Sequence, residues 1–177
     1  KTKAKYGPSK ITTIPLEIKE KLACFIATII GDGHLKKNKF QITIECANKE
    51  MIIFLKTICR EIFEREFNIH QRKIIPKGRQ ERFCLIIDSK AIHNLLQYVF
   101  EIPKGKKSDI VKVPEYIKKS NKSIKSAFMI GILMTEGGKR GRGYGLSTSS
   151  KRFWEDITEL FNDLKIAIKR DKWVYKK

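Results

Sequence analysis

The same short pattern occurs twice in this chain: an apolar helical segment that ends in an acid followed by glycine. The first copy is FIATIIGDGHL (25–35) and the second is MIGILMTEGGK (129–139). A hairpin pattern and a further helix follow each copy in the same order. Counterparts of residues 82–100 are missing from the second copy. The chain is therefore predicted to be an α+β protein with a degenerate internal repeat whose second copy is shortened.

Each apolar segment carries two small residues four positions apart: Ala27 and Gly31, then Gly131 and Thr135. Residues four apart share one helix face, and small side chains there let two helix backbones approach closely. The two helices are therefore predicted to pack side by side. Asp32 and Glu136 would then meet at neighbouring helix ends.

Two acids at helix C-terminal ends are an unfavourable arrangement that needs a partner. The C-terminal end carries partial negative charge, so an acid there costs about 0.3–1 kcal/mol, and close carboxylates repel each other. A divalent cation reverses the sign, and carboxylates with backbone carbonyls suit Mg²⁺. The alternative is that each acid is an exposed residue before a capping glycine. Matched positions in a repeat favour the metal.

The charge of the chain indicates a polyanionic partner. Its 177 residues include 38 Lys and Arg against 19 Asp and Glu, a net charge of +19. The helical stretch 48–68 is nearly balanced, so the excess lies in hairpin-like and connecting segments: 35–39, 72–82, 104–125 and 139–152. This distribution predicts that a sheet face or its loops contact nucleic-acid phosphates. The alternative is a solvated basic surface.

Other patterns narrow the class of protein. No apolar run approaches the roughly 20 residues of a membrane span, and Lys1–Lys10 lacks the apolar stretch of a signal peptide. The four cysteines show neither C-x-x-C pairing nor zinc-finger spacing, so we interpret them as reduced residues. These features predict an intracellular, cytoplasmic protein without a membrane partner.

Periodicity divides the chain into four parts. We predict a basic N-terminal tail (1–15), a first half (16–102), a Lys-rich connector (103–122) and a second half (123–177). Within them, helices are predicted over 17–30, 48–67, 90–100 and 123–136 and from Phe153 to Leu164. Hairpins are predicted over 34–45, 69–88 and 139–149, and a last strand over 165–175.

The doubled motif, together with the IPKGKKS and VPEYI phrases of the connector, resembles the LAGLIDADG homing endonucleases in their single-chain, two-motif form. The phrases IIGDGHL and AFMIGILMTEGG are similar to the archaeal and intein-type branch. The resemblance covers about residues 20–177. One departure is Ala27, which stands where the family usually has glycine.

The resemblance implies a pseudo-twofold αββαββα repeat in a monomer, with two saddle-shaped sheets in the DNA major groove. It implies site-specific hydrolysis of both strands of a long asymmetric double-stranded target. Asp32 and Glu136 would be the catalytic acids and would bind Mg²⁺, or Mn²⁺ as a substitute, with the backbone carbonyls of Gly31 and Thr135. Members of the family often place a Lys or Gln near the site to polarise water, and Lys90 and Lys172 are candidates.

Candidate DNA-binding residues lie on the predicted hairpins and the last strand. Gln favours adenine edges, whereas Lys and Arg favour guanine or phosphate. The candidates are Lys36, Lys39, Gln41, Thr43, Arg72, Lys73, Lys77, Arg79, Arg82, Arg140, Arg142, Tyr144, Ser147 and Lys169. For each, an ordinary solvated strand face is the alternative.

Three functions remain open from the sequence. The leading hypothesis is an intron-encoded or freestanding homing endonuclease from an archaeal host. The second is a non-cleaving RNA-splicing maturase, with intron RNA as partner, or a DNA-binding protein on the same fold. The third is a generic basic nucleic-acid-associated protein, which gives the paired acids no role.

Overall fold

The computed structural model describes residues 11–71, 81–141 and 143–169. Helices and strands alternate along these residues in the predicted α+β pattern. They are α1 (Glu20–Ile30), β1 (Gly33–Leu35), β2 (Gln41–Cys46), α2 (Lys49–Phe63), β3 (Asn68–Gln71), β4 (Phe83–Asp88), α3 (Lys90–Asn94), α4 (Glu115–Lys118), α5 (Lys122–Glu136), β5 (Gly137–Arg140), β6 (Gly143–Leu146) and α6 (Lys151–Asp163). A π-helical turn, Leu95–Val99, extends α3.

Helices α1 and α5 pack against each other at the centre of the molecule. Their approach depends on small residues, because a Cβ at Gly131 would lie 2.6 Å from the carbonyl oxygen of Cys24 and 2.7 Å from the Cβ of Ala27. The small side chain of Ala27 therefore fits against Gly131 at this contact. Almost every residue of α1 is buried, as the apolar run predicts.

The first half carries a four-stranded antiparallel sheet in the order β1–β2–β4–β3. Alternation along β2 buries Ile42 and Ile44 on one face and leaves Gln41 and Thr43 on the other. The buried face packs under α2, whose first turn is capped by the Asn48 side chain. The sheet thus has one core face and one polar face, as the period of two predicts.

The second half is smaller in the described residues. Strands β5 and β6 form a two-stranded antiparallel sheet, and α6 follows directly. Ser150 caps α6 by accepting a hydrogen bond from the amide of Phe153. Phe153, Ile157 and Leu160 join the same core as α1 and α5. In the described residues the second half therefore consists of α5–β5–β6–α6.

The connector is fixed to both halves. The amide of Gly105 donates to the carbonyl of Leu35 on β1 (2.9 Å), and the Ser150 hydroxyl donates to the carbonyl of Val111 (2.6 Å). The buried carboxylate of Asp156 on α6 accepts the amide of Val113 (2.9 Å). Hydrogen bonds therefore hold the connector against both halves of the molecule.

Three local features differ from the sequence prediction. Thr12 and Thr13, assigned to a tail, lie against the end of α2, where the Thr13 amide donates to Phe63 (3.1 Å). Helix α2 ends at Phe63 because Glu64 adopts a left-handed conformation (φ 49°). The predicted last strand is absent from residues 165–169, the first of which, Lys165, is also left-handed; residues 170–175 lie outside the described residues.

The structure also describes the cysteines and the length of the apolar helices. All four cysteines are free thiols. Among the described residues, no helix is both long enough and apolar enough to cross a membrane.

Candidate functional site

The C-terminal ends of α1 and α5 touch. A Cβ at Gly31 would lie 2.6 Å from the Cβ of Thr135 and 3.4 Å from the Cγ of Glu136. Glu136 is the last residue of α5, and Asp32 follows α1 by two residues. The small residues of the repeat therefore bring both acids to one place, on either side of the helix contact.

The two carboxylates are held in a setting that disfavours their charge. Burial raises the pKa of Asp32, and the nearby cations of Lys107 and Arg82 only partly offset it. Burial also raises the pKa of Glu136, and the charge of Asp32 raises it further. Partial burial, together with the charge of Asp32 in the case of Glu136, thus disfavours the ionised carboxylates more than the nearby cations favour them.

Lys107 on the connector is a cation that lies beside both acids. Its Nζ donates to the carbonyl oxygen of Gly31 at 2.7 Å. Burial lowers the pKa of the Lys107 ammonium, whereas attraction to Glu136 and Asp32 opposes that change. Lys107 therefore lies between the two halves, beside both acids.

The sequence pointed to other lysines for a role beside the acids. The structure places Lys90 Nζ over the ring of Phe40, 5.1 Å from its centroid. Lys172 lies outside the described residues. The signal for Lys107 was present in the IPKGKKS phrase, but that phrase contains several lysines and does not tell which of them reaches the site.

The residues present fit a divalent cation with few protein ligands. The described ranges contain no cluster of three or more His, Cys, Asp and Glu side chains suited to a metal. Asp32, Glu136 and backbone oxygens are the available hard donors. Mg²⁺ commonly binds through one or two carboxylates and retains several waters, so this donor set suits it.

An open cavity of about 310 Å³ joins Asp32 to the polar face of the sheet. It is lined by Asp32, His34, Lys36, Thr43, Glu45 and Arg82. Glu45 was not predicted as a member of this group, because an acid on a strand of a basic chain gave no signal. His34 is half-buried beside Lys36 and Lys107, and burial and these cations lower its pKa. Asp32 therefore opens onto the face that carries the predicted DNA-binding residues of the first half.

The predicted DNA-binding residues of the first half fall in two groups. Lys36, Thr43 and Arg82 line the cavity, Lys39 is exposed in the β1–β2 turn, and Gln41 lies on the same sheet face. The remaining four candidates, Arg72, Lys73, Lys77 and Arg79, lie outside the described residues.

Three candidates of the second half, Arg140, Tyr144 and Ser147, take part in hydrogen bonds within that half. Arg140 donates to the Ser147 hydroxyl at 3.2 Å. The Tyr144 hydroxyl donates to the carbonyl of Leu133 at 3.0 Å, so its ring lies back against the end of α5. Lys169 is exposed after α6, outside regular structure. Arg142 lies outside the described residues.

Solved structures share this architecture. A mesophilic variant of the homing endonuclease I-DmoI superposes with a TM-score of 0.58 at 17% identity, covering 82% of this chain and 77% of that one. The chain has the fold of the LAGLIDADG homing endonucleases. I-DmoI in complex with DNA and Mn gives a TM-score of 0.57 at 20% identity over 82% of this chain and 77% of its own.

A second protein of the LAGLIDADG fold gives a similar result. The homing endonuclease I-WcaI, bound to its DNA recognition sequence, has a TM-score of 0.54 at 20% identity, covering 84% of this chain and 67% of its own. At these identities the likeness establishes the fold, which confirms the architecture predicted from the doubled motif.

One curated relative matches by sequence. It is a component of the A-type ATP synthase of Pyrococcus abyssi, 31% identical over 124 residues, which is 70% of this chain but 11% of that protein. The chain thus spans about a tenth of this relative. No family model matches the chain.

Proposed function

We propose that this protein is a site-specific double-strand DNA endonuclease that requires a divalent metal. The observation that carries the proposal is the meeting of Asp32 and Glu136 at two touching helix ends, beside a cavity that opens onto a polar sheet face. A binding protein gains nothing from two adjacent carboxylates with raised pKa values. A hydrolase gains a metal site from them.

The chain's own residues have distinct roles in this proposal. Asp32 and Glu136 bind the metal, with the carbonyls of Gly31 and Thr135 as further ligands. Arg82 lines the cavity, where its guanidinium attracts a phosphate. Lys107 limits the repulsion between the acids and orients the Gly31 carbonyl through their hydrogen bond. When bound, the cation supplies Lewis-acid stabilisation of the reacting phosphate and activation of water.

Mg²⁺ is the metal we propose, with Mn²⁺ as a substitute. Carboxylate and carbonyl oxygens are hard ligands, which suit both ions. The similar structure of I-DmoI contains DNA and Mn. The partly empty coordination that two carboxylates leave is suited to substrate oxygens.

The substrate we propose is a long asymmetric duplex bound by one copy of the chain. A four-stranded sheet in one half and a two-stranded sheet in the other contact different lengths of DNA. Both acids are present in a single chain, so a monomer with pseudo-twofold symmetry has one acid for each strand. Intron RNA is a second possible partner of such a cationic face.

An archaeal, intracellular origin is also part of the proposal. The sequence match to Pyrococcus abyssi is confined to a small part of a long protein whose name gives it a different function. A nuclease segment carried within a host protein gives such a match, which agrees with the intein-type resemblance. Free thiols fit a reducing compartment.

The test compares two acid variants with a matched control. Duplexes that the wild type binds are selected from a randomised library in Ca²⁺, and their cleavage is then measured in Mg²⁺. Asp32→Asn and Glu136→Gln should each lower the cleavage rate about 10³-fold, because each removes a metal ligand. Glu159→Gln, an exposed acid on α6, should cleave as the wild type does.

Two results would contradict the proposal. One is cleavage by both acid variants at the wild-type rate. The other is a wild type that binds an intron RNA more tightly than any selected duplex and leaves all duplexes intact in Mg²⁺ and Mn²⁺, which would favour the maturase.

A further inference from the structure

Gln41 and Asp88 form a hydrogen-bonded pair on the polar face of the four-stranded sheet. They are directly opposite in the register of β2 and β4. The Gln41 Nε2 donates to the Asp88 Oδ1 at 2.8 Å. Gln41 lies on the same strand face as Thr43, which lines the cavity that contains Asp32. The pair therefore lies on the face proposed to contact DNA.

We propose that Asp88 is a positioning residue that holds the Gln41 amide in the one orientation that recognises adenine. The inference rests on the proposed function, since it names how part of that DNA target is read. The hydrogen-bonded pair, rather than the Gln41 side chain alone, sets the preference for adenine.

The chemistry of the pair decides the orientation. An ionised carboxylate only accepts hydrogen bonds, so the nitrogen of the amide must face Asp88. The side-chain oxygen of Gln41 and the second N–H of its Nε2 then remain available for a base. In the major groove, adenine presents one donor, N6–H, beside one acceptor, N7. The free acceptor and donor of the held amide match this edge.

Other bases match the held amide less well. Guanine presents two acceptors, O6 and N7, which need two donors, and the Asp88 carboxylate adds repulsion towards acceptors. Thymine presents an acceptor and a methyl group, and cytosine one donor. Without Asp88, the amide can rotate and offer either end, so discrimination between adenine and guanine should fall.

The backbone around the pair is fixed, which makes the orientation reproducible. The main-chain carbonyl of Gln41 accepts a hydrogen bond from the main-chain amide of Lys36 (3.0 Å) within the first hairpin. The amide of Ser89 donates to the carbonyl of Phe40 (3.1 Å), which closes the ladder next to the pair. Ser89 also caps α3. Neither strand can slip without breaking these bonds.

The alternative is a cross-strand pair that only stabilises the sheet. Such a pair would add stability but would leave base preference to other residues. A measurement of base preference at single positions separates the two, because a structural role would change binding to all sequences alike.

The experiment is selection from a randomised duplex library in Ca²⁺, followed by sequencing of the bound pool. The proteins are wild type, Gln41→Ala, Asp88→Ala, Asp88→Asn, the double variant Gln41→Ala/Asp88→Ala, and Glu159→Ala as a control that removes one exposed charge elsewhere. Thermal unfolding of each verifies folding; Asp88 is exposed, and Asp88→Asn keeps its size.

The expected result is one position at which wild type and Glu159→Ala prefer adenine about tenfold or more, and Gln41→Ala does not. Asp88→Ala should lose the preference at that same position while binding unselected DNA at least as tightly, because a negative charge is removed. Asp88→Asn should be intermediate, and the double variant should lose no more than Gln41→Ala.

Two results would overturn the inference. If Asp88→Ala keeps the preference that Gln41→Ala loses, or weakens all positions equally, Asp88 does not position the amide, although the proposed nuclease function stands. If the wild type selects no sequence at all, the proposed function fails and this inference fails with it.

Discussion

The two halves of the molecule begin alike and end differently. Each starts with a helix that has an acid at or just beyond its C-terminal end, and continues into an antiparallel hairpin and a second helix. The first half then adds strands β3 and β4, whereas the second has no further strand among the described residues. The halves therefore contribute equally to the acid pair but unequally to the surface that would contact DNA.

This difference shows which part of the repeat requires symmetry. The helix contact places small residues of each half against the other: Gly31 against Thr135, and Gly131 against Ala27. A larger side chain on either helix would separate the acids. Among the described residues, no comparable contact joins the two sheets, so one of them can be smaller without disturbing the helix pair.

The largest expected effect comes from breaking the helix contact. Gly131→Val should lower the free energy of unfolding by about 3 kcal/mol, because the added Cβ would lie 2.6 Å from the Cys24 carbonyl oxygen and overpacking is costly. Urea unfolding measures the change. Ile130→Val, at the neighbouring position with 56% exposure, should change stability by under about 0.5 kcal/mol. Equal stability of Gly131→Val and wild type would show that the helices do not pack as described.

The same contact shows what the sequence could predict. Period and small-residue spacing were sufficient for α1, α5 and their acids, because both signals are local. Lys107 could not be singled out, since its position depends on the bond between Gly105 and Leu35, which are distant in sequence. The orientation of Tyr144 was likewise undetermined, because a tyrosine among glycines gives no sign that its hydroxyl bonds Leu133.

The sequence also did not predict where some structural elements begin and end. Helix α2 was expected to continue to about residue 67, and nothing in a run of charged residues marks Glu64 as left-handed. Thr12 and Thr13 follow a Gly-Pro segment, which favoured a tail. Their burial depends on the surface that the end of α2 provides, and that surface exists only in the folded chain.

A smaller effect is expected on DNA affinity when cations of the two halves are removed in turn. Lys36→Gln/Lys39→Gln should weaken binding of a selected duplex about tenfold or more, and Lys139→Gln/Arg140→Gln by a few-fold. The first pair lies in the turn that joins two strands of a four-stranded sheet. The second stands on an isolated hairpin, which holds its cations less rigidly, and Arg140 is already bonded to Ser147. Fluorescence anisotropy in Ca²⁺ at fixed salt measures both. Equal losses would mean that the smaller sheet contributes as much as the larger one.

The smallest effect concerns the acid pair that the halves share, in protein freed of metal by EDTA. Asp32 and Glu136 have raised pKa values, so the folded state binds more protons than the unfolded state between their ordinary values, 3.8 and 4.5, and the raised ones. Stability therefore falls as pH rises through that interval and stays lower above it. Solvent screening keeps the change small, about 1–2 °C in Tm.

Neutral variants should remove this loss. At pH 7 in EDTA, Asp32→Asn and Glu136→Gln should each melt above the wild type, and the gain should disappear near pH 3, where the acids are protonated in both states. Mg²⁺ should raise the Tm of the wild type more than that of either acid variant. If one acid variant shows no gain while the other does, the halves are unequal at the acid pair as well as in their sheets, because only one carboxylate then carries the unfavourable charge.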